Sequence, residues 1–235
     1  MNSTISANMM KLFQECPKKF YLTYKEGITI PQNNSSSEKG KNLHALINYY
    51  LKGFNIDKIK KALSAEELQL WNNFLSLKIK PANLFESEYS FNVKIANKNT
   101  DRYWWLNGRI DAIIKSGEHY TIYDWKTGNI PENPQNDLQT QTYIFALDKI
   151  LKQQKTATNI NQIKFNYINL KTLAEYSLKA DENYLTEASK NILNILNNIH
   201  YCTSSKKPAT QEFQHKKKAC THCKFKSICE SDVFL

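Results

Sequence analysis

By type and spacing, Asp111, Asp124 and Lys126 are the residues of this 235-residue chain best suited to chemistry. The segments Tyr103 to Ile114 and His119 to Lys126 are rich in aromatic and β-branched residues, which favours strands. Between them, Lys115-Ser116-Gly117-Glu118 is a turn signal. If Ile114 pairs with His119, Arg109 faces Asp124 and Asp111 faces Ile122. Asp111 and Asp124 are then diagonal neighbours on one face, with backbones roughly 7–8 Å apart. Strand alternation also projects Asp124 and Lys126 to the same side. A carboxylate on a core-type strand, flanked by Tyr123 and Trp125, is costly unless it binds something. Two carboxylates beside a lysine suit a hard divalent cation held by oxygen ligands. The lysine would position or deprotonate an attacking water, or stabilise charge on a phosphate. A structural ion pair of Asp124 with Arg109 or Lys126 accounts for this local pattern equally well.

The five cysteines are Cys16, Cys202, Cys220, Cys223 and Cys229. In a reducing cytoplasm they form no disulfide framework. Cys220-x2-Cys223-x5-Cys229 is a loop able to wrap one soft metal centre. Three thiolates leave one position open, for a ligand from elsewhere in the chain. Zinc, with Cys16 or His222 as fourth ligand, is one such centre. Cys202 reads as an ordinary helix-end residue.

Helices and strands must position these groups. Residues 6–24 read as a helix bent or split by Pro17. Residues 31–37 form a polar loop, and a helix runs from about Glu38 to Leu51. Ser64-Ala65-Glu66-Glu67 is a capping box opening a helix that carries Leu68, Trp71, Phe74 and Leu75. Glu88 to Ile95 joins the two strands above in a three-stranded antiparallel meander. Pro134 opens a long helix to about Gln153. Ile163 to Asn169 is a strand, and Glu175 to Leu178 another. Glu182 to His200 is a helix with Leu185, Ala188, Ile192, Ile195, Leu196 and Ile199 on one face. The order implies an α/β fold with a mixed sheet and one domain over residues 1–235.

The net charge of +10 favours a polyanionic partner through phosphate attraction. Lys216-Lys217-Lys218 is either a phosphate contact or a solvated charge run. Tyr21, Tyr24 and Lys25 either stack single-stranded bases or belong to the core. No apolar run approaches the roughly 18 residues of a membrane helix. The start of the chain does not read as a secretory signal, so the expected compartment is the cytoplasm. No Gly-x-x-x-x-Gly-Lys-[Ser/Thr] loop is present, so any helicase or ATPase partner is a separate chain.

Gly108-Arg109-Ile110-Asp111 followed by Tyr123-Asp124-Trp125-Lys126-Thr127-Gly128 resembles the active-site core of the PD-(D/E)XK nuclease superfamily, in its RecB-type branch. Gly40-Lys41-Asn42-Leu43-His44 resembles the helix that supplies that branch's active-site histidine. Gln139-Thr140-Gln141-Thr142-Tyr143 resembles its Gln-x-x-x-Tyr helix. Ser6 through Tyr24, with Phe13, Cys16-Pro17 and Phe20, resembles its N-terminal segment. Ile110 stands where the literal Pro of the superfamily name would be.

The resemblance implies a restriction-endonuclease-like core, with residues 84–170 as its catalytic part. His44, Asp111, Asp124 and the carbonyl of Trp125 would ligate Mg²⁺ or Mn²⁺. Lys126 would orient and activate the water, and a metal lowers that water's pKa. Gln139 and Tyr143 would brace the site or contact DNA. Glu88 is either an accessory acid or an exposed strand residue. Cys16, Cys220, Cys223 and Cys229 would hold a [4Fe–4S] cluster, as in the CRISPR-associated and AddB-like members, stapling residues 1–30 to 203–235. The implied activity is DNA phosphodiester hydrolysis, exonucleolytic on single strands or ends, in CRISPR adaptation or DNA repair and recombination. A separate helicase or CRISPR integrase is the partner this implies. The alternatives are a non-catalytic DNA-binding or scaffold subunit of the same fold and a zinc-binding interaction module.

Overall fold

The computed structural model describes residues 4–30, 35–97, 100–154, 159–204, 220–221 and 223–230. His222 and Lys216 to Lys218 lie outside them. No helix among the described residues is long and apolar enough to cross a membrane.

The chain begins with a three-residue strand, β1 (Thr4–Ser6), and two short helices, α1 (Ala7–Glu15) and α2 (Pro17–Tyr24). Cys16 separates the two helices. Its extended backbone ends α1, its sulfur accepts from the Lys19 N–H as the cap of α2, and Pro17 fills the first helical position. So Pro17 splits the expected helix in two. Helix α3 (Ser35–Leu51) and the short α4 (Asp57–Lys61) follow. In α5 (Ala65–Ser76) the capping box is formed in both directions by Ser64 and Glu67. The meander is β2 (Leu84–Ala96), β3 (Tyr103–Ser116) and β4 (His119–Lys126). Asp137 caps α6 (Leu138–Gln153), and β5 (Ile163–Asn169), β6 (Glu175–Lys179) and α7 (Glu182–Ser204) complete the core. A short helix, Lys226–Glu230, carries Cys229.

The six strands form one mixed sheet. β3 pairs antiparallel with β2 along nearly its whole length. β1 and β4 share the other edge of β3. β1 pairs in parallel with Trp105 to Asn107, and β4 pairs antiparallel with Ala112 to Ser116. β4 pairs in parallel with β5, and β5 antiparallel with β6. Two hydrophobic cores flank the sheet. Helices α1, α6 and α7 cover one face, burying Met10, Ile144, Leu147, Ile192 and Leu196. Helices α3 and α5 cover the other, burying Leu43, Leu46, Ile47, Trp71 and Phe74 with Trp125. This is the expected α/β arrangement, a mixed sheet between helices.

The hairpin register differs from the expectation. Ser116 pairs with His119, and Ala112 with Tyr123. The loop is only Gly117-Glu118, with Gly117 at φ 59. A two-residue turn of this kind follows the strand twist, and glycine is free to adopt it. The register moves by two residues, so the pairing parity holds. Continued past Tyr123, it sets Asp111 opposite Asp124 rather than diagonal to it.

That continuation does not form. The β3–β4 ladder stops at Ala112–Tyr123, while β4 runs on beside β5 as far as Lys126. Between the ends of β1 and β4 the edge of β3 is left open at residues 108–111. Here β3 also changes phase. Ile110 and Ile113, three residues apart, both enter the first core, while Ala112 enters the second. Opposite Asp111, Glu88 takes φ 48, a left-handed conformation that interrupts the β2 side of the ladder.

Candidate active site

The fork between β3 and β4 lets side chains from both faces of the sheet meet. α3 reaches it from one core and α6 from the other. The result is a cavity of about 590 Å³ whose walls include His44, Asp111, Lys126, Gln139 and Tyr143.

Asp111 closes the end of the broken ladder. Its Oδ2 accepts the Trp125 N–H at 2.8 Å. Its Oδ1 lies 3.2 Å from His44 Nδ1. The other ring nitrogen of His44 is 3.0 Å from the Trp125 carbonyl. An imidazolium satisfies both acceptors at once. Burial alone would draw the His44 pKa down, but the hydrogen bond and charge of Asp111, with Asp124 and Glu88 behind it, raise it overall. His44, Glu88 and Asp111 offer ligand atoms within 4.8 Å of one another, the one such group of three among the described residues.

Asp124 is buried to 1% exposure. Its Oδ1 meets Lys126 Nζ at 2.7 Å but lacks a well-directed hydrogen bond. Desolvation first, then the charge of Asp111, push its carboxyl up to about 7 despite Lys126. Gln139 bridges the pair, its Nε2 donating to Asp124 Oδ2 and its Oε1 accepting from Lys126 Nζ at 3.1 Å. Tyr143, one turn further along α6, accepts from Gln139 at 3.2 Å and donates to the Arg109 carbonyl at 2.6 Å. Burial holds the Tyr143 phenol well above its ordinary value, so it stays a donor.

All seven residues expected at the nuclease site therefore converge: His44, Asp111, Asp124, Trp125, Lys126, Gln139 and Tyr143. The donors near enough to share one ion are His44, Glu88 and Asp111, and Asp124 stands outside that group. Asp124 adds a desolvated carboxylate oxygen without a directed hydrogen bond. That chemistry fits a hard divalent cation.

Sequence reasoning missed one support and left a second, Glu88, open. Asp137 caps α6, accepts from the Gln139 N–H at 2.9 Å and from Tyr167 at 3.1 Å, and pairs with Lys11 of α1 at 2.7 Å. It thereby sets the register of Gln139. The signal was present in Asp137 itself, since Asp is a preferred cap. Glu88, read either as an accessory acid or as an exposed strand residue, joins His44 and Asp111. It is neither an exposed strand residue nor isolated, because it pairs with Arg109, whose Nε lies 2.8 Å away.

The cysteines behave differently. Lys18 donates to the Cys229 carbonyl at 3.1 Å, so the chain ends meet. Burial raises the Cys16 thiol, and the nearby Cys223 and Cys229 add to that rise. Cys16, Cys220, Cys223 and Cys229 nonetheless do not form a group with sulfurs within 4.8 Å of one another. A tetrahedral zinc with bonds of about 2.3 Å would need sulfurs about 3.8 Å apart. Zinc therefore does not fit these four thiols as they stand.

Among solved structures, the protein SSO0001 matches with a TM-score of 0.54 at 17% identity, over 98% of this chain and 87% of its own. A protein provisionally named an exonuclease, from Eubacterium rectale, matches with a TM-score of 0.50 at 13% identity, over 85% of this chain and 82% of its own. At these identities the likeness is one of fold. No curated protein sequence matches the chain. The sequence pattern of one family does match, over residues 4–79 and 73–230. With the forked sheet and its paired carboxylates, that match places the chain in the PD-(D/E)XK nuclease superfamily.

Proposed function

We propose that the chain is a Mg²⁺- or Mn²⁺-dependent deoxyribonuclease of the RecB-type branch. The observation that carries this reading is the convergence of His44, Asp111, Asp124 and the Trp125 carbonyl beside Lys126 at the sheet fork. His44, Asp111, Asp124 and the Trp125 carbonyl would hold the cation. When bound, it would lower the pKa of a water and neutralise charge on the phosphate in flight.

The chain's own groups do the rest. Lys126, steadied by Gln139, orients the attacking water and stabilises charge on the phosphate. Desolvated Asp124 keeps that lysine ion-paired. Gln139 fixes the lysine and carboxylate relative to each other, and Tyr143 ties α6 to the backbone of β3. The substrate class is DNA, favoured by the net charge of +10. The exonuclease name of one structural relative supports action at single strands or ends. CRISPR adaptation or DNA repair and recombination is the setting, with a separate helicase or integrase chain as partner.

The four cysteines, in this reading, hold a [4Fe–4S] cluster that staples residues 1–30 to 203–235. A cluster is larger than a single ion and takes its thiolates further apart, and what supports it here is the influence of Cys223 and Cys229 on Cys16. Anaerobic purification with iron counting and visible absorption checks it, and a colourless protein with one zinc would sink it. The nuclease reading is tested by digestion of 5′- and 3′-labelled single- and double-stranded DNA with Mg²⁺, Mn²⁺ or EDTA. Asp124→Ala and Lys126→Ala should each abolish cutting while the fold persists. Undiminished cutting by both would overturn the site.

A further inference from the structure

Of the 32 basic residues, thirty are lysines and only Arg102 and Arg109 are arginines. One of these two stands in the wall of the active-site cavity. In a chain that uses lysine almost everywhere, an arginine at that place points to a need for its planar fork.

The geometry supplies the need. Arg109 pairs with Glu88, its Nε 2.8 Å from Glu88 Oε2. Its terminal NH₂ groups make no directed hydrogen bond among the described residues. The Glu88 side chain is 16% exposed and that of Arg109 59%. The glutamate is thus the anchored end of the pair and the guanidinium the presented end. Glu88 holds its place at φ 48, at a cost of about 1 kcal/mol or more. A pair at this exposure adds little stability by itself, so the strain is not offset by the ion pair alone.

Arg109 and Asp111 lie two residues apart along β3, about 6–7 Å. That spacing is comparable with the step from one backbone phosphate to the next along a nucleic-acid strand. Lys41 lines the same cavity and adds positive charge. A guanidinium held through Nε can present paired N–H groups to two oxygens of one phosphate, which lysine cannot do.

We propose that Arg109, oriented by Glu88, clamps the phosphate adjoining the scissile one on the substrate strand. The inference rests on the reading of this site as a DNA nuclease. Arg109 is then a substrate-binding residue and Glu88 a positioning residue.

The test is fluorescence anisotropy of a labelled oligothymidylate across a salt series, with Ca²⁺ replacing Mg²⁺, alongside kinetics in Mg²⁺. Arg109→Gln should bind about tenfold more weakly, and the slope of log affinity against log salt should shrink by about 0.7. Arg109→Lys should keep the slope but lose several-fold in kcat/KM, because the charge remains and the fork does not. Glu88→Gln should keep the slope and lower kcat. Mn²⁺ affinity measured without DNA should not fall in Arg109→Gln. If Glu88–Arg109 only straps β2 to β3, the variants melt earlier while affinity and slope stay at wild-type values, and the clamp is overturned. If Arg109→Gln does not fold, Arg109→Lys decides, and wild-type kcat/KM in it also overturns the clamp. A wild-type protein that binds Mn²⁺ but neither binds nor cuts DNA would overturn the nuclease reading itself.

Discussion

Replacing Asp124 by Asn should stabilise the metal-free protein while abolishing cutting. The carboxyl is buried and its pKa rises from 3.8 to about 7 on folding, the attraction of Lys126 already included. Each pH unit of displacement corresponds to about 1.4 kcal/mol. For an acid raised on folding, the native state keeps the proton that the unfolded chain has lost. Stability is therefore fully present below pH 3.8 and is lost as pH rises towards 7. The cost of the buried charge is about 4 kcal/mol at pH 8 and about 2 kcal/mol or less at pH 5. Asn carries neither. Urea unfolding in EDTA at the two pH values, followed by tryptophan fluorescence, measures both proteins. The stability advantage of Asp124→Asn should widen by about 3 kcal/mol between pH 5 and pH 8. Adding Mg²⁺ should reverse the order, because only the wild type gains binding free energy. An advantage that does not change with pH, or a variant less stable than wild type at pH 8 in EDTA, would refute the reasoning.

Mn²⁺ affinity should fall as pH drops through the raised pKa of His44, because the imidazolium must release its proton to become a ligand. Calorimetry at pH 6 and pH 8 measures this, and His44→Gln should flatten the dependence. Gly108→Ala should cost about 1–3 kcal/mol by thermal melting. Its new methyl would stand 2.6 Å from the Phe91 ring and 3.2 Å from that of Tyr143. Asp137→Ala removes the cap of α6 along with partners of Lys11 and Tyr167, and should cost about 1–2 kcal/mol. It should also lower kcat without weakening Mn²⁺ binding, because Gln139 loses its anchor.

What the sequence revealed was mostly local or periodic. Ser64 and Glu67 announce α5 because a capping box is complete within four residues. The strand Ile163 to Asn169 and the buried face of α7 follow from period and composition. Alternation predicts Asp111 and Asp124 on one face whichever turn closes the hairpin, but it does not foresee the phase change of β3 between Ile110 and Ile113. The turn itself was misjudged, since Lys115-Ser116-Gly117-Glu118 supports either a four-residue or a two-residue loop, and strand twist selects the shorter. β1 is three residues long and pairs with a strand about a hundred residues away, so no local pattern marks it. The fork was also invisible. It arises because β4 leaves β3 for β5, a choice made by tertiary packing. The partnership of Glu88 with Arg109 depends on a backbone conformation that glutamate rarely adopts.

The fork makes the site a pair of calipers. Asp111 rides on β3, which is fastened to β2, while Asp124 rides on β4, which is fastened to β5. The opening between the carboxylates is set by how far the two halves of the sheet spread, and the contact of the Trp125 N–H with Asp111 gauges it. Ile113 and Ile122 pair next to the last rungs before the jaws part, and both are fully buried. Small changes of volume at that pivot therefore alter the spacing of the jaws, and with it the ionic radius they grip, without touching any ligand.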